Sequence, residues 1–410
     1  MPTTEITAPT KSARFRWPFT RWDIAGAFGD IGILFPIAIA LISLNHMNPT
    51  AVFFTAGLAY ILAGAYFKIP MPVQPFKAVA AIALALQLPP SSIASAGLLM
   101  GILLTLIGLT NLVAPLARLF TLPVIRGIQL GLGLILLREG LRLISHSNVV
   151  SIKGVSISPW WLAWAGGAIL LALLRSRRFP AALALLIAGV AFGLWAGGHA
   201  LLPLSWGPAP FQLLHPHADE LKKVLVALVL PQFALTFGNS IVATENTAQL
   251  LYGAQARRVT TRALSVSIGL MNLVSGTLLS APTCHGSGGV TAHYKFGART
   301  EKSGYVIGTV CLLLALFGQS AITLLHLIPT AVLGVFLVYV GVQHGMFIRD
   351  LMSRKAFLLI AVGVGIISLA TTNLTYGFLA GFLLHGLLML HERRNALRQN
   401  VVPSHLDSSR

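Results

Sequence analysis

Long apolar stretches, separated by short turn-forming and charged clusters, fill the chain from residue 22 to residue 391. A helix of about 20 apolar residues is long enough to cross the hydrocarbon core of a bilayer. The pattern therefore predicts an all-α polytopic membrane protein. Cutting at the clusters gives fourteen spans, at 22–44, 50–67, 74–88, 92–114, 122–138, 159–174, 180–202, 222–247, 263–281, 285–297, 304–325, 328–346, 355–371 and 374–391.

Two of these segments, 74–88 and 285–297, are too short to cross the membrane as complete helices. We predict that they are half-helices. The irregular chain before each of them must lie inside the protein, because lipid cannot satisfy its backbone polar groups. Discontinuous helices of this kind are typical of secondary transporters.

Composition excludes several other classes of protein. Hydrophobic residues make up 55% of the chain and charged residues 10%, whereas soluble domains carry about 25% charged residues. The net charge of +18 is spread between apolar spans rather than gathered on one face, so no nucleic-acid partner is predicted. The two cysteines lack metal-type spacing, and we expect no metal, no cofactor and no enzymatic activity.

The positions of Lys and Arg predict the orientation. Basic clusters at 175–178, 257–262 and 349–355 fall on the same side as both termini when all fourteen segments are counted. Because such residues collect on the cytoplasmic side, we predict a multi-pass inner-membrane protein with cytoplasmic tails at 1–21 and 392–410. The basic residues left at membrane depth are Lys77, Arg126 and Lys295.

Seven spans is an odd number, so a second copy of seven would enter the membrane upside down. Three sequence matches, each about 210 residues apart, support such a repeat: 28–30 (FGD) with 237–239 (FGN), Pro72 with Pro282, and Pro123 with Pro329. The predicted organisation is a first repeat at 22–203, an extracytoplasmic connector at 204–221 and an inverted second repeat at 222–391.

The chain before each half-helix favours an anion site. Pro70, Pro72 and Pro75 prevent a helix before the first, and Gly286, Gly288 and Gly289 surround the start of the second. Two helix N-termini would then meet near the midplane, and their amide groups and dipoles favour a negative ligand. The glycines could instead serve close helix packing.

The polar residues at these helix starts are the candidate ligands of an oxyanion. We expect Gln74 and Ser287 to line a common cavity. Lys77 would stabilise the substrate or reach Asp30, and His285 would donate to the oxyanion or be a structural imidazole. Catalysis by adjacent Cys284 and His285 is disfavoured. The predicted substrate-binding residues are Gln74, Lys77, Thr283, Cys284, His285, Gly286, Ser287 and Gly288.

Three further polar residues could couple transport or support the site. Asp30 and Glu245 are the acidic residues expected at membrane depth, where carboxylates are costly and usually functional. Asp30 would carry a proton or pair with Lys77, and Glu245 would carry a proton or face solvent. Asn239 takes the repeat position of Asp30 and could orient the polar groups of the site.

At these residues the chain resembles the molybdate-transporter branch of the sulfate-permease superfamily. The stretches that carry the resemblance are GAFGDIGILFP (26–36), PMPVQPFKAVAAIAL (70–84), PQFALTFGNSIVAT (231–244) and APTCHGSGGVTAHYKFGART (281–300). The resemblance implies seven plus seven inverted spans, with a core of spans 1–4 and 8–11 and a gate of spans 5–7 and 12–14. Substrate would lie between the starts of spans 3 and 10.

The function implied is import of molybdate, a tetrahedral oxyanion, by alternating access, with proton coupling as a further hypothesis. Sulfate or another oxyanion remains an alternative substrate, and an anion channel remains an alternative class. The expected partners are the oxyanion and the lipid bilayer, and a homodimer is left open. Sulfate permeases usually carry a soluble domain after the last span, whereas about twenty residues follow His391 here.

Overall fold

The computed structural model describes residues 20–110, 112–117, 121–152, 155–173, 181–196 and 207–400. Residues 1–19 and 401–410 of the predicted tails fall outside these ranges, as do residues 204–206 of the predicted connector. The last helix continues beyond the predicted end of its span, from Leu374 to Asn400. The helices of the first half are α1 (Arg21–Ala27), α2 (Ile31–Asn45), α3 (Pro49–Phe67), α4 (Lys77–Leu86), α5 (Pro90–Leu109), α6 (Val113–Ala117), α7 (Leu122–Ser145), α8 (Pro159–Leu173) and α9 (Ala181–Ala196).

The second half is also helical. Its helices are α10 (Ala218–Val224), α11 (Leu230–Leu235), α12 (Ala243–Tyr252), α13 (Thr261–Thr277), α14 (Ser287–Lys295), α15 (Lys302–Leu316), α16 (Gly318–His326), α17 (Thr330–Gly345), α18 (Lys355–Thr371) and α19 (Leu374–Asn400). The short strands are β1 (Gln74–Pro75), β2 (Val150–Ile152), β3 (Val155–Ile157) and β4 (Thr283–Cys284). Strands β2 and β3 form a hairpin.

The lengths and hydropathies of the helices fit a multi-pass membrane protein. The described helices that are long and apolar enough to cross a bilayer are Pro49–Phe67, Pro90–Leu109, Ala218–Arg258, Thr330–Leu351 and Leu374–Glu392. The pair α15 and α16, bent by 85°, makes a further candidate. Each of the fourteen predicted spans contains at least one helical segment. That each span crosses the membrane remains a prediction.

The two matched motifs of the proposed repeat both depart from α-helical geometry. Residues Phe28–Asp30 form a 3₁₀ turn between α1 and α2, and Thr236–Val242 form a π-helical segment between α11 and α12. Irregular helical turns of these kinds often occur at functional sites. The first predicted span is therefore two helices joined at the motif, rather than one continuous helix.

Helix pairing relates the two halves of the chain. Helix α5 packs along α13, and α3 packs along α15. Helices α7 and α17 pack against each other through reciprocal glycine contacts: a β-carbon on Gly140 would lie 2.6 Å from the carbonyl oxygen of Gly334, and one on Gly334 would lie 2.6 Å from that of Gly140. Only residues without side chains allow the two backbones to approach so closely.

Helix α7 is longer than the sequence pattern predicts. The predicted span ends at residue 138, whereas α7 continues to Ser145. The charged cluster at 138–142 marks the end of the predicted span. Instead, Glu139 is only 6% exposed, and it pairs with Arg138 at 3.3 Å and with Arg142 at 3.6 Å. The two arginines compensate the carboxylate, so the helix continues through the cluster.

Candidate functional site

A two-stranded antiparallel ladder holds together the segments that precede α4 and α14. Gln74 of β1 lies opposite Cys284 of β4, and Pro75 lies opposite Thr283. Beyond the ladder, the amide of Phe76 donates to the carbonyl oxygen of Pro282 at 2.9 Å. Because the prolines prevent both segments from being helical, their backbone groups are free to pair with each other. The ladder brings the two helix starts into one region of the molecule.

Asn272 of α13 fixes β4 from behind. Its side-chain oxygen accepts from the Thr283 amide at 2.9 Å, and its Nδ2 donates to the Thr283 carbonyl oxygen at 2.6 Å. Asn272, Thr283 and Cys284 are all buried. Thr283 and Cys284 therefore belong to the scaffold under the helix start.

The start of α4 is capped by a side chain from another helix. Oε1 of Gln232 accepts from the amides of Ala78 at 2.9 Å and Val79 at 3.3 Å, while its Nε2 donates to Thr236 Oγ1 at 2.9 Å. The prediction that the amides at this helix start are open to a ligand is wrong for Ala78 and Val79. The first residue of α4, Lys77, is 7% exposed.

The start of α14 is more open. Gly286 precedes it and has no side chain to cap it. Among the described residues, nothing accepts a hydrogen bond from the amides of Ser287 and Gly288. The hydroxyl of Ser287 donates to Asn239 Oδ1 at 2.9 Å, which leaves the Nδ2 group of Asn239 as the donor that this side chain can offer to a ligand.

Both helix starts border one cavity of about 400 Å³, which we call the central cavity. Lys77 and Gly288 line it, and so does Asn239. One face of α14 follows the cavity from end to end, through Gly288, Thr291, Ala292 and Lys295, at the spacing of a single helical face. The opposite wall includes Gln129 of α7 and the α17 residues Tyr339, Gln343 and His344.

The charge of the central cavity is positive. Lys77 and Lys295 line it, and no Asp or Glu occurs among its described lining residues. Uncharged donors and acceptors such as Gln129, Asn239 and Gln343 supply the rest of its polar surface. The cations and amide donors among these described lining residues favour an anionic ligand.

Several predicted ligands stand behind the cavity wall. Gln74 is fully buried, and neither Gln74 nor Ser287 lines the central cavity. The expectation that they would share one cavity is wrong for this conformation. The layer is tight: a β-carbon on Gly286 would lie 2.8 Å from Gln74 Oε1. A side chain at position 286 would therefore require the Gln74 amide group to move.

His285 has a structural position. Its ring is fully buried, with Nδ1 2.8 Å from the Pro72 carbonyl oxygen and Nε2 2.9 Å from Ser267 Oγ. Since a carbonyl can only accept, Nδ1 carries the proton, and Nε2 accepts from the hydroxyl. Both nitrogens are engaged, so the geometry favours the structural imidazole over an oxyanion donor or a base for Cys284.

The two predicted acidic residues fare differently. The side chain of Asp30 lies outside the described part of the chain, so its pairing with Lys77 remains a prediction. Glu245 is half-buried, accepts from the Thr261 amide at 3.1 Å and from Gln249 Nε2 at 3.3 Å, and does not line the central cavity. It caps the start of α13.

More than half of the chain matches a known protein family. The family described as "Molybdate transporter of MFS superfamily" matches residues 23–136 and 224–343, which is more than half of the chain and includes both helix starts. The chain belongs to this molybdate transporter family. Molybdate transporter 2 of Arabidopsis thaliana is 29% identical over 408 residues, which cover 90% of this chain and 87% of that protein.

Solved structures show how the fold of this family member compares. SLC26A9 superposes with a TM-score of 0.68 at 16% identity, over 90% of this chain, and the chain spans 65% of its length. The transmembrane domain of the cyanobacterial bicarbonate transporter BicA superposes with a TM-score of 0.65 at 19% identity, over 88% of this chain and 97% of that domain. The fold of this molybdate transporter family member is thus an SLC26-like helical membrane fold.

Sequence reasoning missed several residues of the site in this family member. Gln232 caps α4, Asn272 fixes β4, and Gln129 and Gln343 line the cavity. Each is a polar side chain inside an apolar span. That signal could have identified them, because an amide group is costly to bury without a partner.

Proposed function

We propose that this protein is a secondary active transporter that imports molybdate. The observation that carries the proposal is the central cavity, in which Lys77 and the uncapped start of α14 meet with no carboxylate among the described lining residues. The family to which the chain belongs, and the molybdate transporter named among its relatives, support the choice of substrate.

The proposed ligand contacts suit a tetrahedral oxyanion. Such an ion presents acceptor oxygens in several directions, and Lys77 Nζ, the amide of Gly288 and the Nδ2 of Asn239, which belong to residues that line the central cavity, are all donors. Hydrogen bonds to a charged ligand are stronger than those between neutral groups. Gln74, Thr283, Cys284, His285 and Gly286 act in this proposal as the support that holds those donors in place.

Alternating access would move two parts of the molecule relative to each other. The central cavity lies between α4 and α14 on one side and α7 and α17 on the other, which correspond to the predicted core and gate. Helices α4 and α14 act as half-helices, 10 and 9 residues long. We propose that the core moves against the gate while the substrate stays between the two helix starts.

The proposed orientation places both termini in the cytoplasm and the protein in the inner membrane, with fourteen spans in two inverted repeats. The basic residues after α14, including Arg299, then face the cytoplasm. The cavity follows α14 from Gly288 to Lys295, and thus toward that side. The conformation in the structure is therefore inward-open in this proposal. A homodimer is compatible with it.

The driving force we propose is proton coupling. Moving one elementary charge against the membrane potential requires about 2.3 kcal/mol per 100 mV, so a dianion needs accompanying cations or a steep gradient. Asp30 is the proposed proton carrier, since Glu245 caps α13 away from the cavity. Molybdate uptake into proteoliposomes should increase with an inward proton gradient. Uptake that responds to neither pH nor sodium would contradict this part of the proposal.

Competition and conductance test the proposal as a whole. Purified protein in proteoliposomes should accumulate radiolabelled molybdate, with inhibition by tungstate, weaker inhibition by sulfate and none by uracil. Equal inhibition by sulfate would identify a general oxyanion transporter instead. A single-channel conductance in a planar bilayer would show that the protein is an anion channel rather than a transporter.

A further inference from the structure

A second cavity lies on the outer face of the helix bundle, away from the central cavity. It is a groove of about 690 Å³ between α3 and α13, which we call the lateral groove. Its walls are mainly apolar and include Leu62, Leu270 and Val274. Leu62 is 58% exposed and Leu270 is 52% exposed. In a membrane protein such exposed apolar walls face lipid chains.

The length of the lateral groove along α3 is similar to the thickness of one leaflet of a bilayer. On α3 its lining runs from Thr55 to Tyr66. At 1.5 Å per residue that distance is about 16 Å, close to half of the roughly 30 Å hydrocarbon core. Thr260 and Arg262 close the groove at the Tyr66 end. One end of the groove is therefore polar and basic, as a site near the lipid headgroups requires.

A basic pocket of about 390 Å³ adjoins that end. Its charged lining residues are Lys68, Arg257, Arg258, Arg299 and Glu301. Across the described part of the chain, no ion pair involves any of these four basic residues. The pocket thus carries a positive charge that protein carboxylates leave largely uncompensated, since Glu301 supplies one negative charge against four positive ones.

A hydrogen bond joins the groove to the basic pocket. Arg258 Nη1 donates to the backbone oxygen of Tyr66 at 3.0 Å. Tyr66 lines the groove, and Arg258 lines the pocket. Lys68 lies two residues beyond Tyr66. The basic pocket therefore lies at one end of the apolar lateral groove.

We propose that the lateral groove and the basic pocket together bind one anionic phospholipid, with its acyl chains in the groove and its phosphate in the pocket. Free phosphate would use the pocket alone and would gain nothing from the groove. A zwitterionic lipid would bring its own cation toward the four basic residues. Charge complementarity with the uncompensated cations therefore selects an anionic headgroup.

The proposed lipid would touch a residue that holds the end of α14. Arg299 Nη1 donates to the carbonyl oxygens of Tyr294 at 2.7 Å and Ala298 at 2.9 Å. Its guanidinium lies 3.6 Å from the centre of the Tyr294 ring. A lipid phosphate beside Arg299 would stabilise this C-terminal cap. The inference is independent of the transported substrate, because none of the basic-pocket residues lines the central cavity.

Native mass spectrometry of the purified full-length protein, titrated with phosphatidylglycerol or phosphatidylcholine, tests the proposal. Wild-type protein should bind one phosphatidylglycerol in preference to phosphatidylcholine. The double variant Lys68→Gln/Arg257→Gln leaves the Arg258 contact intact. It should weaken phosphatidylglycerol binding by roughly 30-fold, because each Lys or Arg near an anionic lipid strengthens binding by about fivefold and the two effects multiply. Ala263→Trp, which fills the groove, should also weaken it.

The matched control is Arg349→Gln/Lys355→Gln, which removes one Arg and one Lys that are exposed and line neither cavity. It should bind phosphatidylglycerol as wild type does. Equal affinity for the two lipids, or equal binding by the control and the Lys68/Arg257 variant, would overturn the proposal. Displacement of phosphatidylglycerol by millimolar inorganic phosphate, together with normal binding by Ala263→Trp, would identify a phosphate site and also overturn it.

Discussion

The two short helices at the centre of the molecule, α4 and α14, are built in opposite ways. In α4, every residue from Lys77 to Ala85 is buried, and a side chain from another helix caps its first amides. In α14, only Gly289, Val290 and His293 are buried, and no side chain caps its start. Helix α4 touches the central cavity with Lys77 alone, whereas α14 lines it along one whole face.

This difference indicates a division of labour within the proposed site. Helix α4 holds a single cation in a fixed position, because its N-terminus is capped by Gln232 and its C-terminal carbonyl oxygen at Ala83 accepts from Asn45 Nδ2 at 2.9 Å. Helix α14 offers uncapped amides and a path along its side. In the proposed site, α4 would therefore supply the positive charge that attracts the substrate, and α14 would supply the hydrogen-bond donors that orient it. The variants below test this division in order of expected effect.

Removing the charge from α4 should have the largest effect on binding. Lys77→Ala takes away the buried cation and should weaken molybdate binding by about 2 to 3 kcal/mol, or roughly 30- to 150-fold, the size of a hydrogen bond to a charged group. Isothermal titration calorimetry with purified protein measures it. Lys77→Arg should retain most of the affinity, and Lys295→Ala, at the exposed end of α14, should lose less than Lys77→Ala. Unchanged affinity in Lys77→Ala would refute the role of α4.

Removing the cap of α4 should mainly affect stability. Gln232→Leu leaves the buried amides of Ala78 and Val79 without their acceptor, which costs about 1 to 3 kcal/mol. A lower thermal unfolding midpoint in detergent is expected, measured by intrinsic fluorescence. The control is Gln249→Leu, because Gln249 is exposed and its side chain donates to Glu245 rather than to a backbone group of α4. A Gln232→Leu midpoint equal to that of the control would show that α4 does not need its cap.

The outline of both short helices could be predicted from sequence. Pro72 and Pro75 prevent helix before α4, and a glycine-rich run surrounds the start of α14, so local chemistry alone breaks both segments. The position of Lys77 at the start of α4 could be predicted too, because Lys77 directly follows the proline-containing segment in the sequence. Their convergence on one cavity could be predicted as well, since the proposed repeat puts the two breaks at matching positions.

The contacts that distinguish α4 from α14 could not be predicted in this way. Gln232 reaches α4 from a helix about 150 residues away in the sequence, and Asn239 accepts from Ser287 across about 50 residues. Which partner satisfies a buried amide depends on tertiary packing, and no local pattern encodes it. The burial of Glu139 was missed for a different reason: its two arginine partners are its neighbours in sequence, and a charged cluster of this kind is typical of a polar loop.

Filling space at the start of α14 should reduce binding without unfolding the protein. Nothing lies within 4 Å of a β-carbon on Gly288, which lines the central cavity, so Gly288→Ala fits the protein but occupies ligand space. We expect about a tenfold loss of molybdate affinity, or about 1.4 kcal/mol, and an unchanged or slightly higher unfolding midpoint, since Ala favours helix over Gly. The two are measured by calorimetry and by thermal unfolding.

Gly286→Ala is the contrasting variant for that experiment. Its β-carbon would lie 2.8 Å from Gln74 Oε1, so it should lower the unfolding midpoint. Normal affinity in Gly288→Ala would show that the ligand does not approach the start of α14.

The smallest effect is expected away from both helices. Glu245→Gln keeps a side-chain oxygen that can accept from the Thr261 amide, and Glu245 does not line the central cavity. Molybdate affinity should therefore change by less than about twofold, which is within the range of ordinary surface substitutions. The pH dependence of uptake should also stay as in wild type. Loss of that dependence in Glu245→Gln would transfer the coupling role from Asp30 to Glu245.

Locating the bound ion tests the central claim most directly. Tungstate is a heavy tetrahedral analogue of molybdate, and its anomalous scattering would mark its position in crystals of the protein. We predict one strong peak in the central cavity, within hydrogen-bonding distance of Lys77 Nζ and of the Gly288 amide. A peak elsewhere, with none between the starts of α4 and α14, would contradict the account.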